Sequence, residues 1–115
     1  MANADFPAGS RMTHNMAFTS GSGNTLLRLQ EDGNLVVYKV TGEPKPAWQA
    51  ENAWHQGYEA IMQEDGNFVL YNRDRRAVWA SNTSGHPGAV LVVQDDHNVV
   101  IYSKGQAIWQ TNTAG

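Results

Sequence analysis

The chain has no cysteine among its 115 residues. That excludes disulfides and thiolate metal sites. No apolar run approaches the roughly 20 residues that a membrane-spanning helix needs, so membrane insertion is not expected. Basic residues are few: eight Lys and Arg against eleven Asp and Glu leave a formal charge of −3 at pH 7. No basic field is available to attract a nucleic acid or an anionic membrane surface. No window sustains the 3.6-residue apolar period of an amphipathic helix. Residues 1–10 lack the basic and apolar segments of a secretory signal. We therefore expect synthesis in the cytosol, with action outside the cell following release. What the chain does have is core material: 41% apolar residues, including four Trp. A single domain spanning residues 1–115 can bury roughly two-thirds of its unfolded surface without staples.

One spelling recurs three times, with Gln, Asp, Asn, Val and Tyr on every second residue. The copies are Gln30, Asp32, Asn34, Val36, Tyr38; Gln63, Asp65, Asn67, Val69, Tyr71; and Gln94, Asp96, Asn98, Val100, Tyr102. A Trp follows each copy: Trp48, Trp79 and Trp109. The phrases Trp79-Ala80-Ser81-Asn82-Thr83 and Trp109-Gln110-Thr111-Asn112-Thr113 rhyme, while Trp48-Gln49-Ala50-Glu51-Asn52 is looser. The unit is thus about thirty residues, with internal repeats over roughly 20–52, 53–83 and 84–115. Strand formation explains apolar residues at alternate positions. It does not explain Gln, Asp, Asn and Tyr at identical offsets three times. Fixed polar groups in a fixed frame imply a binding site, built three times.

Each unit reads as β. Leu27-Arg28-Leu29, Ala60-Ile61-Met62 and Leu91-Val92-Val93 lead into the motif, and β-branched and aromatic runs follow within it. Gly and Pro punctuate the gaps, as in Thr41-Gly42-Glu43-Pro44 and Gly85-His86-Pro87-Gly88. A straight strand from Gln30 to Tyr38 would set its ends about 26 Å apart, beyond the reach of one small ligand. Asp32-Gly33 and Asp65-Gly66 are hairpin-turn dipeptides. The motif is therefore predicted to fold back at Asp, which gathers Gln, Asp and Asn and lets Tyr reach them. Asn34, Val36 and Tyr38 then share one face, and Leu35 and Val37 enter the core. The third copy has His97 where the others have Gly. If that position needs a positive φ, His is costlier than Gly, so the third site is the one whose geometry is least assured.

These three motifs, each with its Trp phrase, resemble the mannose-binding lectins of monocot bulbs, the snowdrop-like family built from B-lectin domains. The likeness runs from Phe6-Pro7-Ala8-Gly9-Ser10, which resembles the family's opening strand, to Trp109-Gln110-Thr111-Asn112. The resemblance implies an all-β, β-prism II fold: three four-stranded antiparallel sheets about a pseudo-threefold axis, with the Trp residues in the middle. It implies one shallow mannose site per sheet, with no cofactor and no metal. Asp32/Asn34, Asp65/Asn67 and Asp96/Asn98 would hold the axial 2-hydroxyl. Gln30, Gln63 and Gln94 would meet the 3-hydroxyl, and Tyr38, Tyr71 and Tyr102 the 4-hydroxyl. Val36, Val69 and Val100 would touch the ring carbons. Mannose-containing glycans are the implied partners. Members often exchange the C-terminal strand between protomers, which makes a homodimer the expected assembly. Plant members usually carry a disulfide, which this chain cannot form; that departure points to a microbial or otherwise non-secretory relative.

Other signals carry less. Recurrence at repeat spacing beside small residues assigns Trp48, Trp79 and Trp109 to core packing rather than sugar stacking. Trp54 lies outside the repeat and reads equally as a partner contact or a rim residue. The adjacent acids Glu31-Asp32, Glu64-Asp65 and Asp95-Asp96 diverge in a turn, whereas hydrolases face two carboxyls across a substrate; no enzyme activity is expected. His14, His55, His86 and His97 lack metal-ligand spacing. Arg73, Arg75 and Arg76 read as a solvated hairpin tip, and Asn82-Thr83-Ser84 is a glycosylation sequon. The competing function is a bacteriocin-type antagonism or protein-interaction module on the same scaffold, with idle sugar sites.

Overall fold

The computed structural model describes residues 2–115. Twelve strands and no helix are present among them: β1 (Ala4–Phe6), β2 (Arg11–Thr13), β3 (Met16–Thr19), β4 (Thr25–Leu29), β5 (Leu35–Thr41), β6 (Glu43–Gln49), β7 (Glu59–Met62), β8 (Phe68–Tyr71), β9 (Ala77–Ala80), β10 (Val90–Val93), β11 (Val99–Ser103) and β12 (Gln106–Gln110). They form three four-stranded antiparallel sheets, ordered β3-β4-β5-β6, β2-β7-β8-β9 and β1-β10-β11-β12. This is the expected β-prism II architecture.

Each thirty-residue unit supplies three consecutive strands of one sheet. The fourth strands all come from the first nineteen residues, dealt one to each sheet. Phe6 therefore ends β1, but residues 7–10 turn the chain into the next sheet and do not continue an opening strand. The segment Thr41-Gly42-Glu43-Pro44 also differs from its sequence reading as a gap. Only Gly42 separates β5 from β6, and Pro44 and Pro46 lie within β6. That strand is at the sheet edge, where a missing backbone N–H breaks no ladder.

The inner faces meet in one core. Leu35 and Val37, Phe68 and Leu70, and Val99 and Ile101 are buried there, as the alternation predicts. In each sheet a bulge falls immediately before the motif Tyr, between Val37/Tyr38, Leu70/Tyr71 and Ile101/Tyr102. The Trp residues pair across from Val37, Leu70 and Ile101 and so face inward. Their rings close a triangle, with centroids 5.5, 5.6 and 5.7 Å apart and interplanar angles of 65–80°. Edge-to-face aromatic contacts favour this geometry. The Trp residues are core, as expected.

The sheets are also tied through the hairpin tips. His55 N–H donates to the Asp32 carbonyl (2.9 Å), His86 N–H to the Asp65 carbonyl (3.0 Å), and Gly115 N–H to the Asp96 carbonyl (2.9 Å). Asp95 adds a buried junction at the third tip, 5% exposed. Its carboxylate accepts from the Ser22 hydroxyl (2.6 Å) and the Ala2 N–H (2.5 Å). The Ser22 hydroxyl first, then the Ala2 N–H, hold this carboxyl well below the usual carboxylate range, against the desolvation that would raise it. A carboxylate with a lowered native pKa stabilises the fold above its unfolded value of about 3.9, and that contribution fades as pH falls from there toward the native value. Asp95→Asn should therefore lower Tm at pH 7 and lower it less at pH 3. Calorimetric scans at both pH values check this; equal losses would mean that the charge plays no part.

Candidate functional site

Each motif forms a hairpin. In the first, Gly33 N–H donates to the Gln30 carbonyl and Gln30 N–H to the Asn34 carbonyl, both at 2.9 Å. That is a three-residue loop, with Asp in its middle and a left-handed residue at its end. The left-handed residue is Gly33 (φ 86°), Gly66 (92°) and His97 (80°). His97 thus takes the conformation the other copies give to Gly. The third tip keeps its bonds: His97 N–H to the Gln94 carbonyl (3.1 Å) and Gln94 N–H to the Asn98 carbonyl (2.9 Å). The Asp side chain locks each loop by accepting from the Asn backbone N–H, at 2.9, 3.0 and 2.9 Å for Asp32, Asp65 and Asp96. This Asx turn is why Asp suits the position.

On the outer face one side-chain pair recurs three times. The amide of Gln30 donates to the Tyr38 hydroxyl, that of Gln63 to Tyr71, and that of Gln94 to Tyr102. Beneath lie Val36, Val69 and Val100, each at most 4% exposed. Val36 lines the floor of the first dish. Asp32, Asp65 and Asp96 are exposed at the tip. In the first repeat, the dish of about 450 Å³ is lined by Gln30, Asn34, Val36, Tyr38 and the β6 residues Pro46 to Gln49. Asp32 does not line this dish, in contrast to the expected gathering of Gln, Asp and Asn; it lines a separate hollow with His14 and Arg73.

The three copies differ in how Asn is held. Asn34 and Asn98 donate their amides to Gln49 (2.9 Å) and Gln110 (2.8 Å). The second repeat has Ala80 in that register, and the Asn67 amide has no protein acceptor among the described residues. Conversely, the Asn67 carbonyl accepts from the Ser81 hydroxyl (3.2 Å) and Thr83 N–H (3.1 Å), and Asn98 from Thr111 (3.1 Å) and Thr113 (3.3 Å). Ala50 replaces that hydroxyl in the first repeat. Gln49, Gln110, Ser81, Thr83, Thr111 and Thr113 thus support the sites without belonging to the motif. The Trp-x-x-Asn rhyme was their trace in the sequence.

The remaining candidates separate from these dishes. Asp95 is a structural carboxylate bonded to Ser22 and Ala2, not one of a facing pair with Asp96. His14 Nε2–H donates to the Glu31 carbonyl (2.6 Å). Among the described residues, no three His, Asp or Glu are arranged to hold a metal. Arg75 and Arg76 are exposed on a hairpin tip as predicted, but the Arg73 guanidinium lies 4.2 Å from the Tyr58 ring centroid, a cation–π contact.

A scan against protein-family models gives no match, and a comparison with curated proteins gives none. Solved structures do match. A monomeric monocot mannose-binding lectin from Gastrodia elata is 31% identical, with a TM-score of 0.81 and complete coverage of both chains. The mannose-specific agglutinin from snowdrop (Galanthus nivalis) bulbs, complexed with methyl-α-D-mannoside, is 33% identical with a TM-score of 0.74, covering 96% of this chain and 97% of that one. A domain-swapped lectin dimer from Mycobacterium smegmatis is 38% identical with a TM-score of 0.51, covering 90% and 93%.

Proposed function

The chain belongs to the family of the monocot mannose-binding lectins, and on that premise we propose that it binds α-mannosides, without catalysis, through all three motif sites. The observation that carries this is the threefold recurrence of one polar array, with Gln bonded to Tyr over a Val floor and Asp bonded to Asn at the tip.

The donor and acceptor inventory suits a sugar's hydroxyls. One Asp oxygen holds the loop, and the other is left to accept from the axial 2-hydroxyl. An Asn amide has two hydrogens, so even Asn34 and Asn98 keep one for the same hydroxyl. The Tyr hydroxyl accepts from Gln and retains its own hydrogen to donate to the 4-hydroxyl. The second Gln N–H and its carbonyl meet the 3-hydroxyl. In this reading the tip receives an axial 2-hydroxyl; an equatorial one leaves polar groups unpaired once the bound sugar covers them, at about 1–3 kcal/mol each. That term separates mannose from glucose.

Shallow single sites bind weakly, and three on one body gain avidity of roughly 10²–10⁴ on a dense glycan. In the single chain, β12 pairs with its own β11. A homodimer that exchanges β12 would join six sites, and a domain-swapped lectin dimer is among the similar structures. We expect the protein to be retained on immobilised mannose and released by methyl α-mannoside, not by methyl α-glucoside. Light scattering on the same sample should give twice the 12.6 kDa chain mass. Passage through the column would overturn the mannoside reading, and a one-chain mass would overturn the exchanged dimer.

A further inference from the structure

Trp54 is 59% exposed, whereas the other three Trp form the core triangle. Its ring lies against His55, with centroids 3.7 Å apart. Exposing so much indole is unfavourable by the ordinary measure of apolar area, and no packing within the chain requires it.

Its position is specific to the first repeat. Ala50, Ser81 and Thr111 are equivalent, because their N–H groups donate to Leu35, Phe68 and Val99. Asn52, Asn82 and Asn112 share a left-handed conformation, at φ 61°, 60° and 59°. One residue, Glu51, lies between Ala50 and Asn52, whereas Ser81 is followed directly by Asn82 and Thr111 directly by Asn112. The first repeat therefore carries one inserted residue, Glu51. Counting on from the left-handed Asn, Trp54 matches Ser84 and Ala114. An insertion and a large aromatic thus occur together at one site of three.

The Trp54 hollow, about 480 Å³, adjoins the first dish and shares Asn34 and Gln49 with it. Its other polar lining is Glu51, Asn52 and Gln56. Gln56 is fixed by donating to the Asn52 carbonyl (2.7 Å). A flat aromatic surface ringed by amides and a carboxylate complements a pyranose, which has an apolar C–H face and a hydroxyl rim. We propose that the first site is half of a longer groove, in which Trp54 is the platform for the second ring of an α-linked mannose oligosaccharide. The inference rests on the mannoside reading above. It makes the three sites unequal: the first selects extended chains, and the other two take single terminal residues.

The test is titration of the full chain, Trp54→Ala and Trp54→Phe with methyl α-mannoside and with α1,2-, α1,3- and α1,6-linked mannobiosides. In the parent chain, one site should bind at least one mannobioside roughly fivefold more tightly than the monosaccharide, the range of an aromatic contact. Trp fluorescence should shift with that mannobioside and not with the monosaccharide. Trp54→Ala should lose the preference while binding methyl α-mannoside unchanged, and Trp54→Phe should keep most of it. If all variants bind every mannobioside alike while still binding the monosaccharide, the groove is overturned and the lectin reading stands. A smaller assembly on Trp54→Ala with unchanged sugar binding would likewise overturn it, in favour of a protein contact. If the parent chain binds neither sugar, both readings fall.

Discussion

Gly66→Ala should destabilise the protein by roughly 3 kcal/mol or more, the cost of a left-handed L-residue plus a backbone collision. Gly66 sits at φ +92°, and a Cβ there would lie 2.3 Å from the His86 carbonyl oxygen and 2.8 Å from its carbon. Neither atom is the free end of a flexible side chain, so the hairpin tip or the following loop must move. That loop carries the His86 N–H to Asp65 carbonyl bond between repeats, so the damage spreads from the turn to the packing of the sheets. Loss of Tm should be on the order of 10–20 °C for a domain of this size. The third tip shows that the conformation alone is tolerable, because His97 holds φ 80° there. Close backbone approach is the larger part of the penalty at Gly66. Urea denaturation decides the matter, and a loss below about 1 kcal/mol would mean that the approach is not tight.

Replacing Asp32, Asp65 and Asp96 together by Asn should abolish detectable mannoside binding while leaving the fold intact. Asn keeps a side-chain oxygen to accept from the backbone N–H of residues 34, 67 and 98, so the Asx turns survive. What is lost is the charged acceptor for the sugar's 2-hydroxyl. A hydrogen bond to a charged group contributes about 1.5–3 kcal/mol, or roughly 10- to 150-fold in affinity. Each single variant should remove one site. A triple variant that melts normally and still binds mannoside would place the sugar elsewhere on the molecule.

Much of this was legible before the structure. The hairpin at Asp32-Gly33, the inward Leu35 and Val37, and the assignment of the three repeat Trp to the core follow from alternation, turn chemistry and thirty-residue periodicity; their meeting in the middle was implied by the family resemblance. These are local rules repeated three times, so errors in one copy are corrected by the others. The fourth strand of each sheet was not legible. Ala4–Phe6 pairs with Val93–Leu91 across nearly the whole chain, and three residues carry too little pattern to announce a strand. β6 was hidden by Pro44 and Pro46, which forbid a central strand but not an edge. At the first site, the motif gave four residues that line the dish, Gln30, Asn34, Val36 and Tyr38, but not those that hold Asn. Gln49 and Gln110 kept one spacing after Trp, but Ala80 broke it, and the inserted Glu51 blurred the first copy. The near-complete burial of Val36, Val69 and Val100 was also not readable.

The central claim is that each repeat builds a working sugar site, and calorimetric titration of the unmodified chain with methyl α-mannoside tests it most directly. The account predicts mannoside heat with about three sugars per chain, because the Asp–Asn loop and the Gln–Tyr pair recur in all three copies, including the one that carries His97. A stoichiometry of about two would contradict equivalence of the third site. No heat at millimolar sugar would contradict the account as a whole.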